Sequence, residues 1–150
     1  MSKKDKFLII DGSSYIYRAY HAIRNLSNSK GFPTNAIFGF TRMLQKIVRE
    51  ENPKYKVMAF DMGGKTHRHR EYPDYKATRP PIPEDLVIQI PYIHRLTEAF
   101  NIKVEAQEGY EADDIIGTLV LKAHKLGLDV TIVSGDKDLM QLIRPGIKMY

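Results

Sequence analysis

The stretch KFLIID, Lys6–Asp11, is a short apolar run that ends in a carboxylate. Consecutive apolar side chains without polar alternation read as a strand buried on both faces. The same pattern returns downstream. KVMAFD (Lys56–Asp61) is a second such strand, again closing on Asp, and NIKVEA (Asn101–Ala106) is a third with a weaker signal. DVTIVS (Asp129–Ser134) is a fourth, and IKMY begins a fifth. Helical patterns separate them. After a GSS turn, Tyr15–Ile23 reads as a short helix with an aromatic face. Ile37, Phe40, Met43, Leu44, Ile47 and Val48 recur at helical spacing across Ala36–Arg49, with Thr34 or Asn35 as the cap. Pro83 and Glu84 start a helix carrying Leu86, Ile90, Ile93, Leu96 and Phe100, with a kink expected at Pro91. Glu111–Leu126 is the clearest helix, with Ile115, Ile116, Leu119, Val120 and Ala123 as its stripe and Gly127 as its stop. A helical turn falls at Leu139–Leu142. Strands alternating with helical crossovers predict an α/β domain, with a mainly parallel central sheet flanked by helices. Ligands of such sheets sit beyond the carboxyl ends of the strands.

Composition sets the bounds. A chain of 150 residues suffices for one domain with a core. With 43% hydrophobic and 27% charged residues it is ordinary globular material, so disorder is expected only at the ends and in one loop. The absence of cysteine excludes disulfides and thiolate metal sites. The basic MSKKDK start meets Asp11 too soon to be a secretory signal, and no apolar run reaches membrane-spanning length. A soluble cytoplasmic protein is therefore the expectation. A net charge of +5 allows a polyanionic partner without requiring one.

The carboxylates are distributed unevenly. Asp11 and Asp61 close two strands, Asp136 and Asp138 follow the fourth, and Glu111, Asp113 and Asp114 open the clearest helix. In a parallel sheet all of these positions fall on one edge, so seven carboxylates can converge there. Buried like charges raise pKa values or destabilise the fold, and divalent cations remove that conflict. Hard oxygen donors select Mg²⁺, with Mn²⁺ as a substitute, and this many carboxylates suits two ions about 4 Å apart. A metal-bound water can then attack a phosphodiester with no covalent protein intermediate. A plainer reading stays open. Acids in a first helical turn commonly only satisfy free amides, and strand-end Asp or a DKD triplet commonly forms a turn. Independent capping does not explain why acids mark successive strand ends.

Met62–Pro83 has little apolar content, adjacent glycines and four prolines. It carries Lys65, Arg68, Arg70, Lys76 and Arg79 interleaved with His67, His69, Tyr72 and Tyr75, and it begins immediately after Asp61. Cations can take phosphates while rings stack on unpaired bases. The alternative is a solvated charged loop. A dinucleotide-binding fold is disfavoured, because DGSS after the first strand lacks the G-x-G-x-x-G pattern and places an acid where pyrophosphate would sit.

Five stretches, LIIDGSSYIYRAYHAI, GFPTNAIFGFTRML, AFDMGGKTHRHREYPDYKATRPPIPEDL, GYEADDIIGTL and IVSGDKDLMQL, carry a resemblance that covers nearly the whole chain in order. The sequence resembles the amino-terminal part of the 5′-nuclease (5′-3′ exonuclease) domain of bacterial DNA polymerase I, in the flap-endonuclease superfamily with its PIN-like core. The resemblance implies a Mg²⁺-dependent nuclease acting on DNA with a free 5′ end or flap, and on RNA–DNA hybrids, in primer removal and repair. It implies metal-site roles for Asp11, Asp61, Glu111, Asp113, Asp114, Asp136 and Asp138. Lys76 matches a lysine near the scissile phosphate and Arg79 its basic companion; Arg68, Arg70 and Tyr75 fall in the same nucleic-acid-handling region. Residues 62–83 would form the base of an arch over the site. Here His67 stands where the family usually has an aromatic. The family continues into a segment with further metal-binding aspartates and a helix-hairpin-helix-like element, so residues 1–150 are expected to belong to a longer nuclease or polymerase chain. An uncovered sheet edge is expected too. The competing expectations are a nucleic-acid-binding fragment that cannot cleave, and a small PIN-like ribonuclease.

Overall fold

Lys6–Asp11 forms strand β1, and Leu8, Ile9 and Ile10 are fully shielded from solvent, as a strand covered on both faces requires. The structure is a computed structural model that describes residues 4–61, 82–106 and 110–150. The remaining strands are β2 (Tyr55–Ala59), β3 (Lys103–Glu105), β4 (Asp129–Val133) and β5 (Ile147–Met149). Their order in the sheet is β3-β2-β1-β4-β5, and every pairing is parallel. The chain builds outward from β1 through β2 to β3, then crosses back to lay β4 on the other side of β1. The strand order therefore reverses between β1 and β4, and the crevice at such a point is where α/β sheets hold ligands.

Among the described residues, five α-helices flank the sheet: α1 (Gly12–Ala22), α2 (Asn35–Glu51), α3 (Glu84–Val87), α4 (Ile90–Ala99) and α5 (Ala112–Lys125). A 3₁₀-helix spans Lys137–Leu142. Helices α1 to α4 share one core with Leu8, Ile10, Met58 and Val133. Helix α5 and the 3₁₀-helix cover Ile9, Ala59, Val130 and Ile132 on the opposite face. No described helix is long and apolar enough to cross a membrane.

Three local expectations change. GSS is not a turn: it is the first turn of α1, because the Asp11 side chain accepts the Ser14 amide at 3.2 Å and caps the helix. Pro91 does not kink one helix; α3 and α4 are separate, and Pro91 sits in the first turn of α4, where its missing N–H leaves no bond unmade. Strand β2 stops at Ala59, so Asp61 lies beyond the strand rather than closing it.

The start of α2 is also held differently. Thr34 occupies the cap position without a capping bond from its side chain. The amides of Ala36 and Ile37 instead donate to Oε1 of Gln89, at 2.9 and 3.0 Å. Gln89 is fully buried, and its Nε2 donates to Asn35 Oδ1 (2.9 Å) and the Asp85 carbonyl (2.8 Å). Asn35 in turn donates to the carbonyls of Tyr20 and Ile23. One buried amide thus ties the start of α2 and the α3–α4 junction together, and Asn35 extends the tie to the end of α1.

Candidate metal and phosphodiester site

Parallel strands deliver their carboxyl ends, and the amino ends of the helices that follow them, to one edge. Asp11 stands at the centre of that edge and is only 4% exposed. Its Oδ1 accepts the Ser14 amide, and its Oδ2 accepts the Ser134 hydroxyl at 2.8 Å. Burial pushes its pKa up; the bonds from Ser134 and Ser14 oppose that, and the charges of Asp61 and Asp136 add to the rise. Asp61 and Asp136 are therefore both near enough to repel Asp11. Asp136 reaches the centre from β4: its amide donates to Ser134 Oγ (3.0 Å), and its own Oδ1 accepts the Asp138 amide (2.9 Å), capping the 3₁₀-helix.

Asp61 links this centre to α5. Its amide donates to Ser13 Oγ (2.9 Å), and its Oδ1 accepts the amide of Ala112 (2.6 Å), the first residue of α5. Glu111, only 3% exposed, is the cap of α5, and its amide donates to Asp114 Oδ2 at 3.0 Å in a reciprocal capping box. Asp113 and Asp114 then line an open groove of about 490 Å³ with Asp138, between α5 and the 3₁₀-helix. The close approach of α1 to β2 depends on Gly12. A Cβ there would lie 2.7 Å from Phe60 Cδ1 and 2.9 Å from Met58 Cγ, so any side chain would push on the segment that carries Asp61.

The capping reading and the ligand reading both find support. Asp11, Asp61, Asp114 and Asp136 each accept a backbone amide, as caps should. An ionised carboxylate has about four lone-pair positions, so one amide bond leaves capacity for a cation. The donor set is all hard oxygen, and the mutual repulsion around buried Asp11 is what a divalent cation would relieve, so the residues fit Mg²⁺ or Mn²⁺. Among the described residues, no group of three or more Asp, Glu or His side chains is close enough to hold an ion unaided. Lys76 and Arg79, with Arg68, Arg70 and Tyr75, lie outside the described residues.

Sequence reasoning missed Ser13, Ser14 and Ser134. Their signal was present: Ser13 and Ser14 follow within three positions of Asp11, and Ser134 ends an apolar strand on the same edge.

Sheet order and acidic edge together define a class, an α/β domain with a parallel sheet and its acids gathered at the strand-order reversal. Residues 6–150 match the family described as 5′-3′ exonuclease, N-terminal resolvase-like domain, and the chain belongs to that family. It is 46% identical over 138 residues to DNA polymerase I of Caldicellulosiruptor bescii, an alignment covering 92% of this chain and 16% of that one. It is 47% identical over 139 residues to a 5′-3′ exonuclease of Aquifex aeolicus, covering 93% of this chain and 48% of that one. The chain thus spans about half the exonuclease and about a sixth of the polymerase. The fold is shared with the T5 D15 protein co-crystallised with metal ions, at a TM-score of 0.71 and 21% identity, covering 97% of this chain and 54% of that one. That phage protein, described as a flap endonuclease, has also been solved with DNA and metal ions.

Proposed function

We propose that the chain is the metal-site half of a Mg²⁺-dependent 5′ nuclease that hydrolyses phosphodiesters near a free 5′ end or flap of DNA, or in RNA–DNA hybrids. The observation that carries this is the position of Asp11. It is buried at the strand-order reversal, flanked by Asp61 and Asp136, and followed along the edge by Glu111, Asp113, Asp114 and Asp138. These seven carboxylates are the proposed ligands of two ions, directly or through water. A bound Mg²⁺ supplies an activated water and charge stabilisation at the leaving oxygen. The chain's own residues do the rest. Asp11, held at both oxygens, fixes one ligand position, and Asp61 aligns the start of α5 with the centre. Lys76 and Arg79 are proposed to hold the scissile phosphate and offset the charge it develops, with Arg68, Arg70 and Tyr75 gripping the displaced strand. The membership of the family, and the DNA and metal ions seen with the T5 protein, support this reading.

A second reading, binding without cleavage, is favoured by the edge lacking any three described side chains placed to hold an ion unaided. A 5′-flap duplex incubated with Mg²⁺ separates the two. Cleavage by this chain, or by the chain extended to the length of its exonuclease relative, and lost in Asp136→Ala, is the expected result. Binding of the flap without cleavage at either length supports the second reading. An unchanged single-turnover rate in Lys76→Ala of the extended protein would remove Lys76 from the chemistry.

A further inference from the structure

We propose that Ser134 is a positioning residue: its hydroxyl sets the spacing between Asp11 and Asp136 and is needed for the acidic edge to bind a divalent cation at full affinity. This rests on the metal-site reading above. Ser134 follows β4 directly, and the register that pairs Ile10 with Val133 places it across the reversal from Asp11. It is only 7% exposed. Its oxygen receives the Asp136 amide (3.0 Å) and its proton goes to Asp11 Oδ2 (2.8 Å). With Asp11 ionised, the direction follows without seeing the hydrogen, since a backbone N–H can only donate and an ionised carboxylate can only accept. Bonds therefore run in one sense, from the Asp138 amide to Asp136, from the Asp136 amide to Ser134, and from Ser134 to Asp11. The loop that carries two acids after β4 is tied through a single hydroxyl to the buried acid that ends β1. Ser13 makes a comparable tie on the other side, accepting the Asp61 amide.

Groups that orient metal ligands commonly change affinity by about 10- to 100-fold when removed. Ser134→Ala keeps the backbone and loses both bonds. Ser134→Thr keeps the hydroxyl. Mn²⁺ binding followed by electron paramagnetic resonance on the purified chain reads affinity independently of cleavage, with far-ultraviolet circular dichroism confirming the fold. The expected result is about tenfold weaker Mn²⁺ binding in Ser134→Ala, with Ser134→Thr within about threefold of the parent. If Ser134→Ala does not fold, Ser134→Cys, close in volume but a weak donor and acceptor, takes its place with the same expectation. Parental affinity in the folded Ala or Cys variant overturns the proposal, as does equal weakening in Thr. A parent that binds no Mn²⁺ overturns the metal-site reading and this inference with it, whereas failure of the inference alone shows as a parent and an Ala variant that bind alike.

Discussion

Replacing Gln89 by Met removes a buried amide while keeping its length and volume. Four bonds vanish: those from the Ala36 and Ile37 amides to Oε1, and those from Nε2 to Asn35 Oδ1 and the Asp85 carbonyl. The Ala36 amide and Asn35 Oδ1 belong to buried residues, so water cannot readily replace the lost partner there. Each buried group left unsatisfied costs about 1–3 kcal/mol, which gives roughly 4 kcal/mol for the two. The apolar side chain returns about 1 kcal/mol through burial. The net loss is about 3 kcal/mol, or about 6–12 °C in melting temperature at this chain length. Urea denaturation followed by circular dichroism measures it, with an unchanged slope showing that the unfolded state is unaltered. Thr34→Val is the contrast. A cap residue ordinarily contributes about 1 kcal/mol, but the Thr34 side chain makes no capping bond, so its loss should stay within about 0.5 kcal/mol. A Gln89→Met protein within about 0.5 kcal/mol of the parent, or a Thr34→Val protein that loses more than Gln89→Met, would refute the reasoning that Gln89 is the effective cap of α2.

Gly12→Ala should destabilise by about 1–3 kcal/mol, because its Cβ must displace the buried Phe60 ring and Met58; thermal melts check this, and a neutral outcome would mean that the ring moves freely. His94 stacks on Phe60 with ring centres 4.2 Å apart, and burial lowers its pKa from 6.5 against the pull of Glu98. The folded state thus resists a proton that the unfolded state accepts, so this contribution is present above pH 6.5 and is lost as pH falls toward the folded value. His94→Phe should lose less stability than the parent between about pH 7.5 and about pH 5.5 by urea titration, and equal losses would contradict the assignment.

How much of this was legible depended on which physical rule acted alone. Leu8, Ile9 and Ile10 could be read as a doubly covered strand because burial on both faces leaves no other pattern. The stripe on α5 was legible for the same reason: Ile116, Val120 and Ala123 are its buried side. The edge position of the acids followed from parallel connectivity. What the sequence did not reveal was partnership across long separations. Gln89 reads as a polar interruption between Leu86 and Ile93, and only the fold shows the α2 amides, 53 and 52 residues away, that it satisfies. The cap rule offered Thr34 or Asn35 by local chemistry, and a distant side chain satisfies the α2 amides instead. Likewise, GSS has turn composition, but Asp11 preceding it supplies a cap and converts it into helix. The capping role of the acids was legible, since first-turn acids commonly satisfy free amides, and Glu111 and Asp114 do so at the start of α5.

If a divalent cation relieves the repulsion around Asp11, melting the parent and Asp11→Asn with EDTA and with Mg²⁺ reveals it. Burial and the charges of Asp61 and Asp136 oppose ionised Asp11, so the neutral amide should melt no lower than the parent in EDTA. At a hundredfold excess of Mg²⁺ over its dissociation constant the parent should gain about 2.7 kcal/mol, seen as a rise of about 5–10 °C, while Asp11→Asn gains little. A parent whose melting temperature ignores Mg²⁺, or an Asp11→Asn protein that rises as far as the parent, would show that no cation is held at Asp11.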